Sequence, residues 1–561
     1  MGLAAVALIV VVLFALGYIG YSRFVARKLG LNDANPTPAC TMEDGVDFVP
    51  AKAPFLLGQH FSAIAAAGPI VGPILAGLAF GWLPALAWIV FGAIFIGAVH
   101  DFSSLFGSVR HKAGSVAQIV QDHIGRRAYV LFLGFIWLSL IYVVTAFADL
   151  TAGSFAEPVS GGGVASSSLL YLGLAVVMGI AVTRFKMPLG AATGLFMPLL
   201  MGIIWVGPLL PIRVPEIFGL RPALIWDAIV LGYCFIASVL PVWLLLQPRG
   251  YLGGVFLYIS LIAGIIGLVL GKFPVLYPAF TGWQGTGGMP LFPMLFVTVA
   301  CGACSGFHGL VSSGTTSKQV AKESDCRPVG YGGMLLEGMV ALVALSTVMI
   351  LAPSDPATKL GPDRIYARGL AAFVQKVGLN PQFAMSFVLL AFATFIFDTL
   401  DVATRLGRII LQELFGWEGN RGRFTATLLT LALPAWFVTA TLTDPSGKVV
   451  PAWKAFWIVF GTSNQLLAGL TLFGLTAWLR NSKRAWGFVA VPCVFMMVVT
   501  LWALAILLKG WAGRIHAGGA LLDPTAVASF LLIGLAVCLL WEGGKALRRP
   551  ATAPPSPAST R

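Results

Sequence analysis

The stretches "AAAGPIVGPILAG" (65–77) and "CGACSGFHGLVSSGTTSK" (301–318) each fall inside a run long and apolar enough to cross a bilayer as a helix. In the first, Pro69 and Pro73 bring no N–H, and Gly68 and Gly72 accept backbone angles that other residues avoid. A regular helix therefore fails at mid-membrane, and carbonyls near Ala65 and Pro69 lose their partners and become available as ligands. In the second, Gly302, Gly306, Gly309 and Gly314 are interleaved with Ser305, Ser312, Ser313, Thr315 and Thr316, which predicts another interruption. Glycines can also serve close packing of helices. Two Gly-Pro steps within one helix favour a functional break.

The rest of the chain fits that setting. Of its 561 residues 58% are hydrophobic and only 10% charged, with a mean hydropathy of +0.89, too little polar surface for a soluble core of this size. Runs such as "GLAAVALIVVVLFALGYIGY" (2–21) do not alternate, which sets aside a β-barrel. The class expected is an all-α polytopic membrane protein with about 15 transmembrane helices. The first run, 2–22, is followed and not preceded by basic residues, so it reads as a signal anchor with its N-terminus outside. With that start, 25 of the 36 Lys and Arg collect on the inner side and 11 on the outer, as the positive-inside rule asks. Arg249 is counted among the inner cations.

The net charge of +14 is then inner-surface anchoring to anionic lipid, with no nucleic-acid partner. All seven cysteines fall in helices or inner loops, so no disulfide is expected. Cys301 and Cys304 form a CxxC without a second pair nearby, and no metal is expected. "SVAQIVQDHIGRR" (115–127) suits a short interfacial helix, 353–382 is a long outer loop, and the tail 547–561 is expected to be disordered and cytoplasmic.

Counted along the chain, the first interrupted helix runs from inside to outside and the second from outside to inside. Such an opposed pair is the sequence pointer to an inverted-repeat transporter, whose half-helix N-termini face anionic groups while unwound carbonyls hold cations. The organisation expected is one domain over 1–546, with 2–22 peripheral, repeat one near 55–210, an inserted hairpin near 224–271, repeat two near 291–478 and peripheral helices near 486–546.

At these residues the chain resembles the carbon starvation protein A (CstA) family of bacterial inner-membrane transporters. The stretches that carry the likeness are "GQHFSAIAAAGPIVGPILAG" (58–77), "LGYCFIASVLPVWLLLQPRGYL" (231–252), "ACGACSGFHGLVSSGTTSK" (300–318), "GYGGMLLEGMVAL" (330–342), "FDTLDVATRLGR" (397–408) and "FGTSNQLLAG" (460–469). The resemblance implies a LeuT-like bundle of the amino acid, polyamine and organocation superfamily. It also implies uptake of short peptides or pyruvate, driven by protons, in cells short of carbon. The chain departs from longer members in having one helix before the first interruption instead of two, and Gln59, His100 and Cys304 stand where other residues are expected.

Several polar side chains fall inside the apolar runs. A carboxylate at mid-bilayer costs about 2.5–3.5 kcal/mol on insertion scales, so a partner or a function keeps it there. Asp401 has Arg405 at i+4 and reads as a mainly structural pair. Asp398, one turn deeper with only Thr394 and Thr399 near it, is the candidate to alternate between protonated and ionised; Glu337 is the second candidate carrier. His60 before the first break and His308 after the second are further titratable groups. Asn464 and Gln465, with Thr462 and Ser463, suit either substrate hydrogen bonding or interhelical bonding. Asp101 beside His100 is read as wet, near the inner end of the third helix.

The function expected is secondary active uptake of a carboxylate-bearing nutrient. Gly68, Pro69, Gly72, Ser305, Gly306, His308, Ser463, Asn464 and Gln465 would form the substrate site, and Asp398, Glu337, Asp401 and His60 the coupling set for a proton or sodium. No Walker loop occurs, no cofactor is implied, and the chain is not expected to be an enzyme. The rivals are a membrane-embedded enzyme, using a buried acid pair or His60 with His308, and a starvation sensor, which would want a soluble output domain.

Overall fold

The structure is a computed structural model that describes residues 2–44, 48–65, 67–241, 243–285, 288–440, 442–443, 449–516 and 523–548. Helices form almost all of it. They are α1 (Leu3–Leu29), α2 (Ala53–Ile64), α3 (Gly68–Phe80), α4 (Trp82–Arg110), α5 (Val116–His123), α6 (Arg126–Phe155), α7 (Gly161–Thr183), α8 (Leu189–Leu209), α9 (Pro222–Val239) and α10 (Leu246–Leu270). After a loop come α11 (Leu291–Val299), α12 (Gly306–Gly314), α13 (Glu323–Met349), α14 (Pro362–Gln375), α15 (Pro381–Phe415), α16 (Gly419–Thr439), α17 (Ala452–Asn481), α18 (Gly487–His516) and α19 (Pro524–Arg548).

Among the described residues thirteen helical stretches are long and apolar enough to cross a membrane, and the bent pair α2 and α3 makes a fourteenth. Of the fifteen segments expected from the sequence, the twelfth, near 424–441, corresponds to α16, which lies outside that set. The segment 353–382, expected to be a long loop, folds further than that, because α14 lays Ile365, Tyr366, Leu370 and Phe373 against the bundle. Of the tail expected to be disordered, 547 and 548 belong to α19 and 549–561 lie outside the described residues.

Both interruptions occur. The axes of α2 and α3 diverge by 52°, with Pro69 seated in the first turn of α3 where its missing N–H leaves no bond unmade. The helix after the second interruption starts again only at Gly306: Ala300 turns to φ 47°, and Ser305 is extended at φ −137°, ψ 125°. The two breaks cross. A Cβ on Gly72 would stand 2.4 Å from the carbonyl oxygen of Val299, and one on Gly68 would stand 2.5 Å from Cys301 Sγ. Only glycine lets the backbones approach that closely. Gly461 of α17 closes the other side, with the Val297 carbonyl oxygen 2.1 Å from where its Cβ would be.

The segment read as an inserted hairpin packs inside. α9 lies against α6 and α15, and α10 against α2, α14 and α15. The short helix α5 is closed by a capping box between Ser115 and Gln118, and its last residue, His123, points Nε2 at Nε2 of His111, 2.9 Å away. Burial, then the neighbouring ring, hold His123 down at about 4, and burial holds His111 below its usual value.

Gly72→Ala is expected to destabilise the protein by about 1–3 kcal/mol by overpacking, read as a lower melting temperature in detergent. Gly173→Ala, with open space around its Cβ, should leave it unchanged. His123 is lowered on folding, so its contribution is complete above the unfolded value near 6.5 and is lost as pH falls toward 4. Melting temperature should drop across that window, and His123→Gln should flatten the drop.

Candidate functional site

Three buried polar clusters lie around the crossing. The first is built on α15, where Asp398 and Asp401 occupy one face a turn apart. Arg249, in the first turn of α10 and 0% exposed, reaches both: Nη1 pairs with Asp401 Oδ2, and Nε lies 3.3 Å from Asp398 Oδ1, off the line of a hydrogen bond. Tyr233 of α9 donates to Asp401 Oδ2 at 2.8 Å, and Ser62 of α2, just before the first break, donates to Asp398 Oδ2 at 3.1 Å. Tyr171 of α7 ties the start of α10 in place by donating to the Arg249 carbonyl at 2.8 Å.

Two sequence readings are corrected here. Arg249 is not an inner-surface cation but a core residue, because Pro248 sits within the first turn of α10, where a proline is tolerated and the helix can begin ahead of it. Asp401 takes its ion pair from Arg249 across the bundle instead of locally. Arg405 donates to the carbonyls of Ala237 and Leu240 at 3.1 and 2.6 Å, and Arg408 to that of Ser238 at 2.7 Å. These cations meet the C-terminus of α9, where the helix leaves its carbonyls unpaired.

The second cluster surrounds His308, two residues into α12. Its Nδ1 is 2.7 Å from Asp101 Oδ2 of α4, and its Nε2 is 2.9 Å from Glu337 Oε2 of α13. His100 Nδ1 lies 2.7 Å from the other oxygen of Asp101. All four side chains are 0% exposed. Asp101 is therefore dry, correcting its placement in a wet inner end: α4 continues two turns past it to Arg110, and α12 and α13 cover that face. His60 of α2 stands apart, with Nδ1 2.9 Å from Thr316 Oγ1.

The third cluster is at the second break itself. Asn464 of α17 accepts the N–H of Phe307 at 3.0 Å, capping α12 from another helix, and its Nδ2 donates to Ser305 Oγ at 3.1 Å and to Cys301 Sγ at 3.2 Å. Gln465 donates to the Phe296 carbonyl at 2.7 Å, and Ser463 to the Phe460 carbonyl at 3.0 Å. Gly306 packs on the backbone of α17 at Asn464 and Ala468. Gly68, Pro69 and Gly72 face the opposite side of the same break. The structure thus gathers Ser305, Gly306, Asn464, Gly68, Pro69 and Gly72 at the crossing. It puts His308 with Glu337, and Asp398 with Asp401, in separate groups.

Arg249, Tyr233, Asp101 and His100 complete these clusters without having been picked out as site residues. The local signals were a lone arginine beside a proline and an acid beside a histidine; neither spacing reveals a partner that arrives from another helix.

Interrupted, crossing helices with acids, histidines and an arginine buried around them define a multi-pass α-helical membrane protein with an ionisable core. The chain belongs to the carbon starvation protein CstA family, whose profile matches residues 3–358 and 352–503. It is 33% identical to the peptide transporter CstA of Helicobacter pylori over 88% of this chain and 80% of that one. It is 32% identical to the pyruvate/proton symporter BtsT of Escherichia coli, again over 88% and 80%, and 31% identical to the peptide transporter CstA of the same organism over 93% and 82%. Among solved structures the fold is similar to a manganese transporter of Eremococcus coleocola, with a TM-score of 0.50, 12% identity, and 90% and 98% of the two chains covered.

His308→Gln leaves Asp101 and Glu337 facing each other without the ring that links them. It is expected to cost about 3–5 kcal/mol, the usual penalty for breaking a buried ion pair, seen as a large loss of monodisperse protein. Adding Glu337→Gln should restore part of that yield.

Proposed function

We propose that the protein is a secondary active transporter, coupled to protons, that imports a small carboxylate-bearing nutrient, short peptides or pyruvate, during carbon starvation. The observation that carries the reading is the set of buried acids at the two crossing breaks. Ser62 beside the first donates to Asp398, and Glu337 lies 2.9 Å from His308 Nε2 just past the second. Charged groups are expensive at membrane depth and persist where they line an ion or substrate path. The names of the relatives, peptide transporters and a pyruvate/proton symporter, point the same way.

In this reading the bundle has a LeuT-like inverted repeat, near 55–210 and 291–478, and α16 crosses as a fifteenth span. The N-terminus is outside and the C-terminus cytoplasmic, in the bacterial inner membrane. Gly68, Pro69, Gly72, Ser305, Gly306, Ser463, Asn464 and Gln465 line the substrate path, and Asp398, Glu337, Asp401 and His60 handle the proton; His308, expected in the substrate site, joins the proton set because its ring lies between Asp101 and Glu337. Alternating access moves the half-helices α2 and α12, which carry Ser62, His60 and His308, relative to α15 and α4. Such a motion changes the surroundings of the acids, as a coupled carrier requires.

Proteoliposomes with an inward pH gradient should accumulate labelled pyruvate or alanyl-alanine, and collapsing the gradient should abolish accumulation. Asp398→Asn is expected to remove driven accumulation by more than tenfold while leaving part of the exchange of internal for external substrate. Accumulation at the wild-type level would take Asp398 out of the mechanism.

A further inference from the structure

The arginine at the first cluster has donors to spare. Nη1 of Arg249 is engaged by Asp401 and by Tyr233 Oη, but Nε and Nη2 have no hydrogen-bond acceptor, although the side chain is 0% exposed. Nε and Nη2 form one edge of the guanidinium, the fork that grips both oxygens of a carboxylate at once. Asp398 stands at that edge, 3.3 Å from Nε, without completing the grip. Gly253, one turn along α10, lets Asp398 pack directly on the helix backbone beside that edge: a Cβ there would lie 2.7 Å from Asp398 Oδ2 and 3.3 Å from Ser62 Oγ.

Charge decides what can enter. With both ionised, Asp398 and Asp401 against one guanidinium leave one negative charge in excess, buried beside the first break. A cargo carboxylate arriving alone would make two, and a second unpaired buried anion is strongly disfavoured. If Asp398 first takes a proton from solution, its hold on Arg249 weakens to that of a neutral acid and the arriving carboxylate restores the original charge. The other groups facing Asp398 are Tyr171 from α7, Tyr233 from α9 and Ser62 from α2, with Asp401 and then Arg405 further along α15; Arg405 lies about two turns away and donates to the carbonyls of Ala237 and Leu240. Beside Asp398, α6 and α14 bring aromatic rings, Phe155 on Phe397 and Tyr366 on Phe392; further along, Tyr129 of α6 donates to Glu413 and α16 brings Thr430 to Gly407.

Resting on the transport reading above, we propose that Arg249 is the receptor for the cargo's carboxylate and that Asp398 competes for the same edge of it, so that carboxylate and proton bind only together. Proton coupling then needs no separate carrier site: the exchange of one acid for another on a single arginine is the coupling.

The test is calorimetric titration of the purified full chain in detergent with pyruvate and with alanyl-alanine, at several pH values and in buffers of different ionisation enthalpy. Binding of whichever ligand is recognised should take up about one proton, and affinity should fall about tenfold per pH unit on the alkaline side. Pyruvamide and alanyl-alaninamide, which lack the carboxylate, should not bind. Asp398→Asn should still bind but with no proton uptake and no pH slope, while Arg249→Gln should lose binding by 100-fold or more. If Asp398→Asn keeps the wild-type proton uptake and slope, or Arg249→Gln binds as the wild type does, the proposal is overturned. Gradient-driven uptake by the wild type would survive that result and keep the transport reading. If neither ligand binds or is taken up by the wild type, the transport reading falls and this proposal with it.

Discussion

Two helices that stop and restart halfway through the bundle need something to hold their loose ends, and here they hold each other. Gly68 and Gly72 lie on Cys301 and on the Val299 carbonyl so closely that no side chain fits between them. With no water in the hydrocarbon, backbone groups released by a break must find partners in protein. Asn464 supplies one for the N–H of Phe307 and Gln465 one for the carbonyl of Phe296, both from α17. The crossing therefore fixes which helices surround it, and with them which ionisable groups come together.

The groups that come together are not balanced. Around Arg249 two carboxylates share one guanidinium; around His308 two carboxylates share one imidazole ring, with His100 behind one of them. A fold seeking stability alone gains little from this, since apolar residues of similar size would pack there at no electrostatic cost. One ring between two carboxyls can donate from both nitrogens only as an imidazolium.

The breaks and the burial of Asp398 were legible in the sequence because both are local. Gly-Pro steps disrupt a helix wherever they occur, and burial follows from a place well inside an apolar run. What was not legible depends on another helix. The stretch "LLLQPRGYL" (244–252) reads as a loop with a surface arginine, since proline beside a cation marks many loop ends. In the fold the same residues begin α10, and only the arrival of α15 turns Arg249 from a surface charge into the counter-ion of two aspartates. Asp401 had a local arginine at i+4, and that spacing hid the partner it pairs with. Asp101 and His100 were counted as near an end because the apolar run thins there; α12 and α13, remote in sequence, keep them dry.

The two ionisable clusters sit on different halves of the interrupted helices, and that division matters. Ser62 touches Asp398 from the half-helix before the first break, while His308 meets Glu337 from the half-helix after the second. His60, from the same half-helix as Ser62, bonds Thr316, which follows the half-helix of His308. α2 and α12 are thereby tied to each other on one side of the crossing. A tilt of this tied pair against α4, α13 and α15 would lengthen the Ser62–Asp398 and His308–Glu337 contacts together. Two acids lose a supporting group in one step, so a proton taken at either is felt at both. A rigid pair of half-helices moving against fixed carboxylates would let an ion gradient set the direction of the motion.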